Sequence, residues 1–238
     1  MRPIIRIASP VALMLACIAM AAAAQRHETR AVSGYHALSL TAPIKVELVQ
    51  GDGESLTLDG DEAALAELET VVEDGSLKIR IRNSVLFSRT DMSHVVARVS
   101  AKAIDAISSS GSGDIHASSL GTRGLAVSIA GSGNILIDSL EATRLHVSIA
   151  GSGDLRVAGK ADVVNTSIAG SGDMKAARLA SRDSSVSIAG SGDAVLWVRD
   201  SLDVSVMGSG DVRYFGDPSV HQSVLGSGSI KRVAAAPS

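Results

Sequence analysis

Beyond residue 105, apolar and polar residues alternate with a period of two through much of the chain. In the run Leu145-His146-Val147-Ser148-Ile149-Ala150, the leucine, valine and isoleucine share one face of an extended strand. The histidine, serine and alanine share the other. The same register recurs at Leu125, Val127 and Ile129, at Leu202, Val204 and Val206, and more loosely at Val164, Thr166 and Ile168. Each strand runs into Gly-Ser-Gly followed by Asp, Asn or Ser. The inward set then resumes at Ile135 and Ile137, Leu155 and Val157, or Val212 and Tyr214. Each repeat therefore supplies at least two short strands with a bend at the glycines, which accept a positive φ and turn the backbone without a Cβ clash.

The Gly-Ser-Gly motif begins at Gly111, Gly131, Gly151, Gly170, Gly190, Gly208 and Gly226, at intervals of 18 to 20 residues. Self-similarity at a near-fixed period of this length is the signature of a solenoid. One repeat cannot bury its own apolar face. Coils stacked about 4.8 Å apart give every backbone group a partner above and below, and like side chains line up in ladders. The predicted fold is all-β: a parallel β-helix or β-solenoid of about seven 18–20-residue repeats over residues 106–233. Its inner ladder is Ile129, Ile149, Ile168, Ile188, Val206 and Val224. Its outer ladder is Ser108, Ser128, Ser148, Ser167, Ser187, Ser205 and Ser223.

Residues 25–105 lack the motif and read as an N-terminal, β-rich cap continuous with the solenoid. Strands are expected within 31–50 and 54–59, broken at Gly51-Asp52-Gly53, and near 77–81 and 95–99. Asp61 is placed to N-cap one short helix running to about Val72, with Leu65 and Leu68 facing inward. A solenoid end exposes unpaired edge groups, so a cap there has a physical use. The tail, residues 234–238, is too short to close the other end well.

The first 24 residues read as a secretory signal peptide. Arg2 and Arg6 precede the apolar stretch Val11 to Met20, and Ala21 to Ala24 offer the small residues that signal peptidase needs, placing cleavage before Gln25. The apolar stretch is shorter than the roughly 20 residues that span a bilayer, so no membrane span is expected in the mature chain. Cys17 is the sole cysteine and raises lipidation as an alternative, but an apolar rather than a polar tether follows it. With the signal removed, no thiol and no disulfide remain. Export places the protein in the periplasm or at the cell surface. Removing the signal also leaves 20 basic against 25 acidic residues. That mildly acidic balance gives no reason to expect nucleic acid or anionic lipid as partner.

In their order, the features resemble the head GIN domain family, whose members are described as autotransporter adhesins of otherwise unknown function. The resemblance covers roughly residues 30–232. It runs through Val32-Ser33-Gly34-Tyr35, Val46-Glu47-Leu48-Val49-Gln50-Gly51, Gly60-Asp61-Glu62, Asp74-Gly75-Ser76-Leu77-Lys78-Ile79 and the serial Gly-Ser-Gly turns. It implies a secreted β-helical protein and transfers no catalytic residues. Nothing after residue 232 could form an outer-membrane barrel.

Three chemistries are open to the repeats. The turn positions Asp114, Asn134, Asp154, Asp173, Asp193 and Asp211 would stack as a row of acids. Asp154, Asp173, Asp193 and Asp211 are the calcium candidates, because calcium takes carboxylate and carbonyl oxygens. The competing reading has each Asp bonding its own turn backbone. Arg156, Lys175, Arg213 and Lys231, two residues past the acids, would then offset repulsion. Trp197 and Phe215 occupy the same offset in adjacent repeats, where Ser118 and Asp138 suggest an outward face. Two stacked rings there could cradle a sugar, or pack under the tail as a makeshift cap. Catalysis on polysaccharides, with Asp173 and Lys175 as imagined participants, lacks the irregular long loop that usually builds a cleft. No cofactor or catalytic residue is assigned. The leading expectation is a non-enzymatic, adhesin-like protein that binds a glycan or envelope protein. A structural, self-associating homo-oligomer joined through the C-terminal coil is the alternative, and a polysaccharide-active enzyme comes third.

Overall fold

The structure, a computed structural model, describes residues 25–82 and 91–233. The expected signal peptide with Cys17 and the tail 234–238 lie outside the described residues. The first part of the chain forms β1 (Gln25–Arg30), β2 (Ala37–Leu40), β3 (Lys45–Gln50), β4 (Ser55–Asp61), α1 (Glu62–Glu67), β5 (Leu68–Glu73), β6 (Ser76–Ile81) and β7 (Val96–Ala101). The repeats follow as β8 (Ala106–Gly111), β9 (Asp114–Gly131), β10 (Ile135–Gly151), β11 (Leu155–Gly170), β12 (Met174–Gly190) and β13 (Ala194–Gly208). The last coil is broken into β14 (Val212–Phe215), β15 (Ser219–Gly226) and β16 (Ile230–Arg232). All sixteen strands belong to one wound sheet, and from β8 onward every pairing is parallel.

The expected ladders form. Ile129, Ile149, Ile168, Ile188, Val206 and Val224 are successive register partners, as are the serines from Ser108 to Ser223. The isoleucines and Val206 are buried and most of the serines face solvent, but Val224, expected inside, is exposed because no further coil covers β15. Period-two alternation on stacked strands thus yields one contiguous apolar core running from Tyr35 to Val212.

Glycine at the bend answers to backbone stacking. The carbonyl of Gly131 accepts hydrogen bonds from the N–H groups of both Ser152 and Gly153 in the next coil, at 2.8 and 3.1 Å. Gly151, at φ +124°, sits directly over Gly131, and a Cβ there would enter the Gly131 carbonyl oxygen. The same approach repeats up the stack, so the motif is a column of glycines touching backbone to backbone.

The N-terminal end departs from chain order. Strands β2 and β3 lie between the coil formed by β8 and β9 and an outer coil formed by β6 and β7. Antiparallel β5 then covers the edge of β6, while β4 and β1 cover that of β7. Helix α1 is shorter than the sequence suggests. It ends at Glu67, because Leu68 to Glu73, rich in β-branched residues, pair antiparallel with β6 across a two-residue turn in which Asp74 (φ 51°) and Gly75 (φ 72°) are both left-handed. Asp61 is the N-cap residue but makes no side-chain capping bond. Leu65 and Leu68 face inward as expected.

Candidate functional site

The turn acids form a ladder with directional bonds between coils. Asp114 Oδ1 accepts the Asn134 N–H (2.8 Å), Asn134 Oδ1 that of Asp154 (3.2 Å), and Asp154 Oδ1 that of Asp173 (3.1 Å). The series continues through Asp193 (3.0 Å) and Asp211 (2.8 Å) to Ser229 (2.9 Å). Each side chain therefore bonds the turn backbone of the next coil, where its own turn was the alternative to calcium in the sequence. In return, the next coil's carbonyl accepts the following N–H, as Asp154 O does from Ile135 at 2.9 Å. Ser229 adds its hydroxyl to Asp211, and these bonds hold the Asp211 carboxyl below its ordinary range. Among the described residues no three acidic or histidine side chains converge as a metal-ligand set. Calcium at Asp154, Asp173, Asp193 or Asp211 would compete for oxygens that already accept N–H groups.

Two residues beyond the ladder, the outward positions form a second column. Register pairs Glu47 with His116, His116 with Leu136, Leu136 with Arg156, and Arg156 with Lys175. Val195, Arg213 and Lys231 continue it toward the C-terminal end. Lys175 bonds Asp154 Oδ2 at 2.5 Å and lies 3.4 Å from Asp173; the Asp154 bond first, and then the two charges, raise its pKa and keep it protonated. His116 pairs with Asp138 at 2.6 Å, and Lys45 with Glu47 at 3.2 Å.

Two adjoining open depressions flank the second column, the first of them between it and the ladder. The first, about 450 Å³, is lined by Lys45, Asp114, His116, Asn134, Leu136, Asp154, Arg156 and Lys175, over floor residues Ile115 and Ile135. The second, about 400 Å³, shares Leu136, Arg156 and Lys175 and extends past Asp138 to Ala158, Ala177 and Arg178. They span several coils on a single face. Both volumes fall in the range of small-molecule sites. The sequence analysis valued Arg156 and Lys175 only as charge compensation and passed over His116 and Leu136. Aligning the outward positions of successive repeats would have shown the column.

Trp197 and Phe215 are register partners, as their common offset implied. Trp197 lies two residues past Val195, the partner of Lys175, and so on the side of the strand that carries the cation column. A pair of exposed rings, one of the two readings open to these positions, is not what forms. Trp197 is half-buried and Phe215 only 9% exposed, because Phe215 ends β14 at the Gly216 corner, whose backbone closes onto the Val198 carbonyl. A ligand there meets one partly open indole.

A solenoid wound from glycine-turned repeats, with a capped N-terminal end and an open polar groove along one side, defines the class of capped β-solenoids. The family model for "Putative auto-transporter adhesin, head GIN domain" matches residues 34–218, and the chain belongs to that family. A putative adhesin from Bacteroides fragilis NCTC 9343 has the same fold, with 24% identity, a TM-score of 0.82, and coverage of 88% of this chain and 97% of that one. A putative lipid binding protein from Parabacteroides distasonis ATCC 8503 is 26% identical, with a TM-score of 0.73 and the same coverage. A putative adhesin from Parabacteroides merdae ATCC 43184 is 21% identical, with a TM-score of 0.69 and coverage of 88% and 96%. No curated protein matches the chain.

Proposed function

We propose that this is an exported, non-enzymatic protein of the cell envelope that binds a surface component along the side of its solenoid. A glycan is the first choice and an envelope protein the second. The observation that carries the proposal is the pair of adjoining depressions across the coils from Lys45 to Arg178. They offer hydrogen-bonding side chains, both signs of charge and one partly open apolar side chain, Leu136, the mixture a sugar needs. The absence of catalysis rests on regularity. The lining carboxylates belong to the repeated ladder or to the His116–Asp138 pair, and no long connection interrupts residues 106–233 to enclose them. Naming as adhesins in the family and among the solved relatives supports a location outside the inner membrane.

Titrating purified protein with envelope and host glycans while following Trp197 emission tests this reading. A saturable change supports it. No change with any glycan, together with no retention on any glycan-coated surface, removes the glycan.

A second reading, self-association, is favoured by one observation. Among the described residues the exposed large apolar side chains are Val49, Met207, Val224 and Leu225, and the last three lie on β13 and β15 at the C-terminal end.

A further inference from the structure

We propose that the groove takes a carboxylated sugar, with Arg156 as the anchor for its carboxylate; this inference rests on the glycan-binding reading. Two departures from the repeat meet at this point. In the turn ladder every member from Asp114 to Asp211 is an aspartate except Asn134. In the second column His116, Arg156, Lys175, Arg213 and Lys231 are basic, while Leu136 and Val195 are apolar. Asn134 and Leu136 sit in one coil, on either side of the groove floor, and Leu136 is the register partner of Arg156. Val195 is apolar too, but its ladder neighbour is Asp193; from Asp114 to Lys231 only the coil of Asn134 and Leu136 departs from both columns at once, which marks local use.

The charges point to the same place. Lys45, His116 and Lys175 are each held by a carboxylate, and Arg178 also has a partner. Arg156 is exposed and lines both depressions, and among the described residues its guanidinium has no ion-pair or hydrogen-bond partner. The ladder residue of the coil before it is the uncharged Asn134, while Asp154 in its own coil and Asp173 in the next both lie against Lys175. Because Arg156 and Lys175 are register partners, their side chains project side by side about 4.8 Å apart. A planar carboxylate accepts two parallel N–H bonds from such a guanidinium. The apolar face of the ring then lies on Leu136, with Ala158 beyond it.

The surrounding charges also narrow the ligand. Asp114, Asp138 and Asp154 border the groove, and the chain carries a net charge of −3. A dense polyanion is repelled, whereas an isolated carboxylate between neutral sugars is accepted.

Isothermal titration of the full-length protein with hyaluronan fragments and sialyllactose, each beside its carboxyl-reduced form, tests the proposal. The expected result is saturable binding of at least one acidic form, at least about tenfold weaker after reduction of its carboxyl. Arg156→Ala should weaken it by a similar factor, and raising salt should weaken it further. Asn134→Asp is the decisive variant. It restores the ladder's own residue, keeps an Oδ1 acceptor for the Asp154 N–H, and places a charge beside Arg156. It gives up the Asn134 Nδ2 donation to Asp114 Oδ1 (3.0 Å), so it should lower the melting temperature modestly, leave the fold intact and reduce binding several-fold. Equal binding of acidic and reduced sugars, or an unaltered affinity in both variants, overturns the carboxylate site and leaves glycan binding standing. No binding of either form overturns the carboxylate site, and the wider glycan panel then decides the broader reading.

Discussion

At Gly151 two demands coincide that no other residue meets. The backbone lies at φ +124°, and the place of a Cβ is taken by the carbonyl of Gly131, which is committed to two hydrogen bonds from Ser152 and Gly153. Gly151→Ala should therefore cost about 3 kcal/mol in urea unfolding, from strain and the displaced carbonyl together. Gly124→Ala, where a Cβ meets open space, should stay within about 0.5 kcal/mol of the parent. The ladder acids allow a finer comparison. Asp193 Oδ1 accepts the Asp211 N–H, and Arg213 stands 4.0 Å from its other oxygen. Asp193→Ala should cost about 1–2 kcal/mol, and Asp193→Asn, which keeps the acceptor, well under half as much. Equal losses in the same unfolding experiment would mean that charge rather than the backbone bond matters.

At the scale of elements, α1 shows how a six-residue helix persists. It has no basic residue in its last turn and no side-chain N-cap bond, and isolated helices of this length do not hold in water. Arg30, reaching from β1, supplies what the helix lacks. Its guanidinium donates to Leu65 O at 2.8 Å and Leu68 O at 2.7 Å, placing a cation on the carbonyls at the helix's C-terminal end. Arg30→Ala should destabilise the protein by about 2 kcal/mol, and hydrogen exchange should rise in α1 and β5 while the solenoid coils keep their protection. Uniform loss of protection would mean that cap and coils unfold as one unit.

For the molecule as a whole, the two ends are unlike. The N-terminal end is closed by antiparallel β1, β4 and β5 and by α1. At the other end β15 pairs with β13 alone and is exposed along nearly its whole length, with Val224 41% and Leu225 69% accessible. An open edge with apolar side chains is a template for another strand. A second copy that adds its own β15 to this edge meets it end to like end, giving a two-fold dimer rather than a filament. Light scattering after size exclusion should show a concentration-dependent dimer that Val224→Lys converts to monomer. A strict monomer at high concentration sinks self-association through this end.

The stacked β fold, its repeat length and its ladders were legible in the sequence. A period-two pattern fixes which side chains face inward, and a glycine every 18 to 20 residues fixes where each coil turns. The ladder acids were legible as a column. Their bonds were not, because an Asx side chain can reach its own turn or the next coil, and only the stacking distance decides. The same holds for Phe215, whose outward register gave no sign of the corner that buries it. Nothing local foretold that β2 and β3 insert between later strands, that β1 closes against β4, or that Arg30 caps α1. Those contacts join residues far apart in the chain, where periodicity carries no information. Leu136 and Arg156 are 20 residues apart and became neighbours only once the coils were in register. The sequence by itself determined the coil; the tertiary structure decided which coil lies against which, and so where the groove falls.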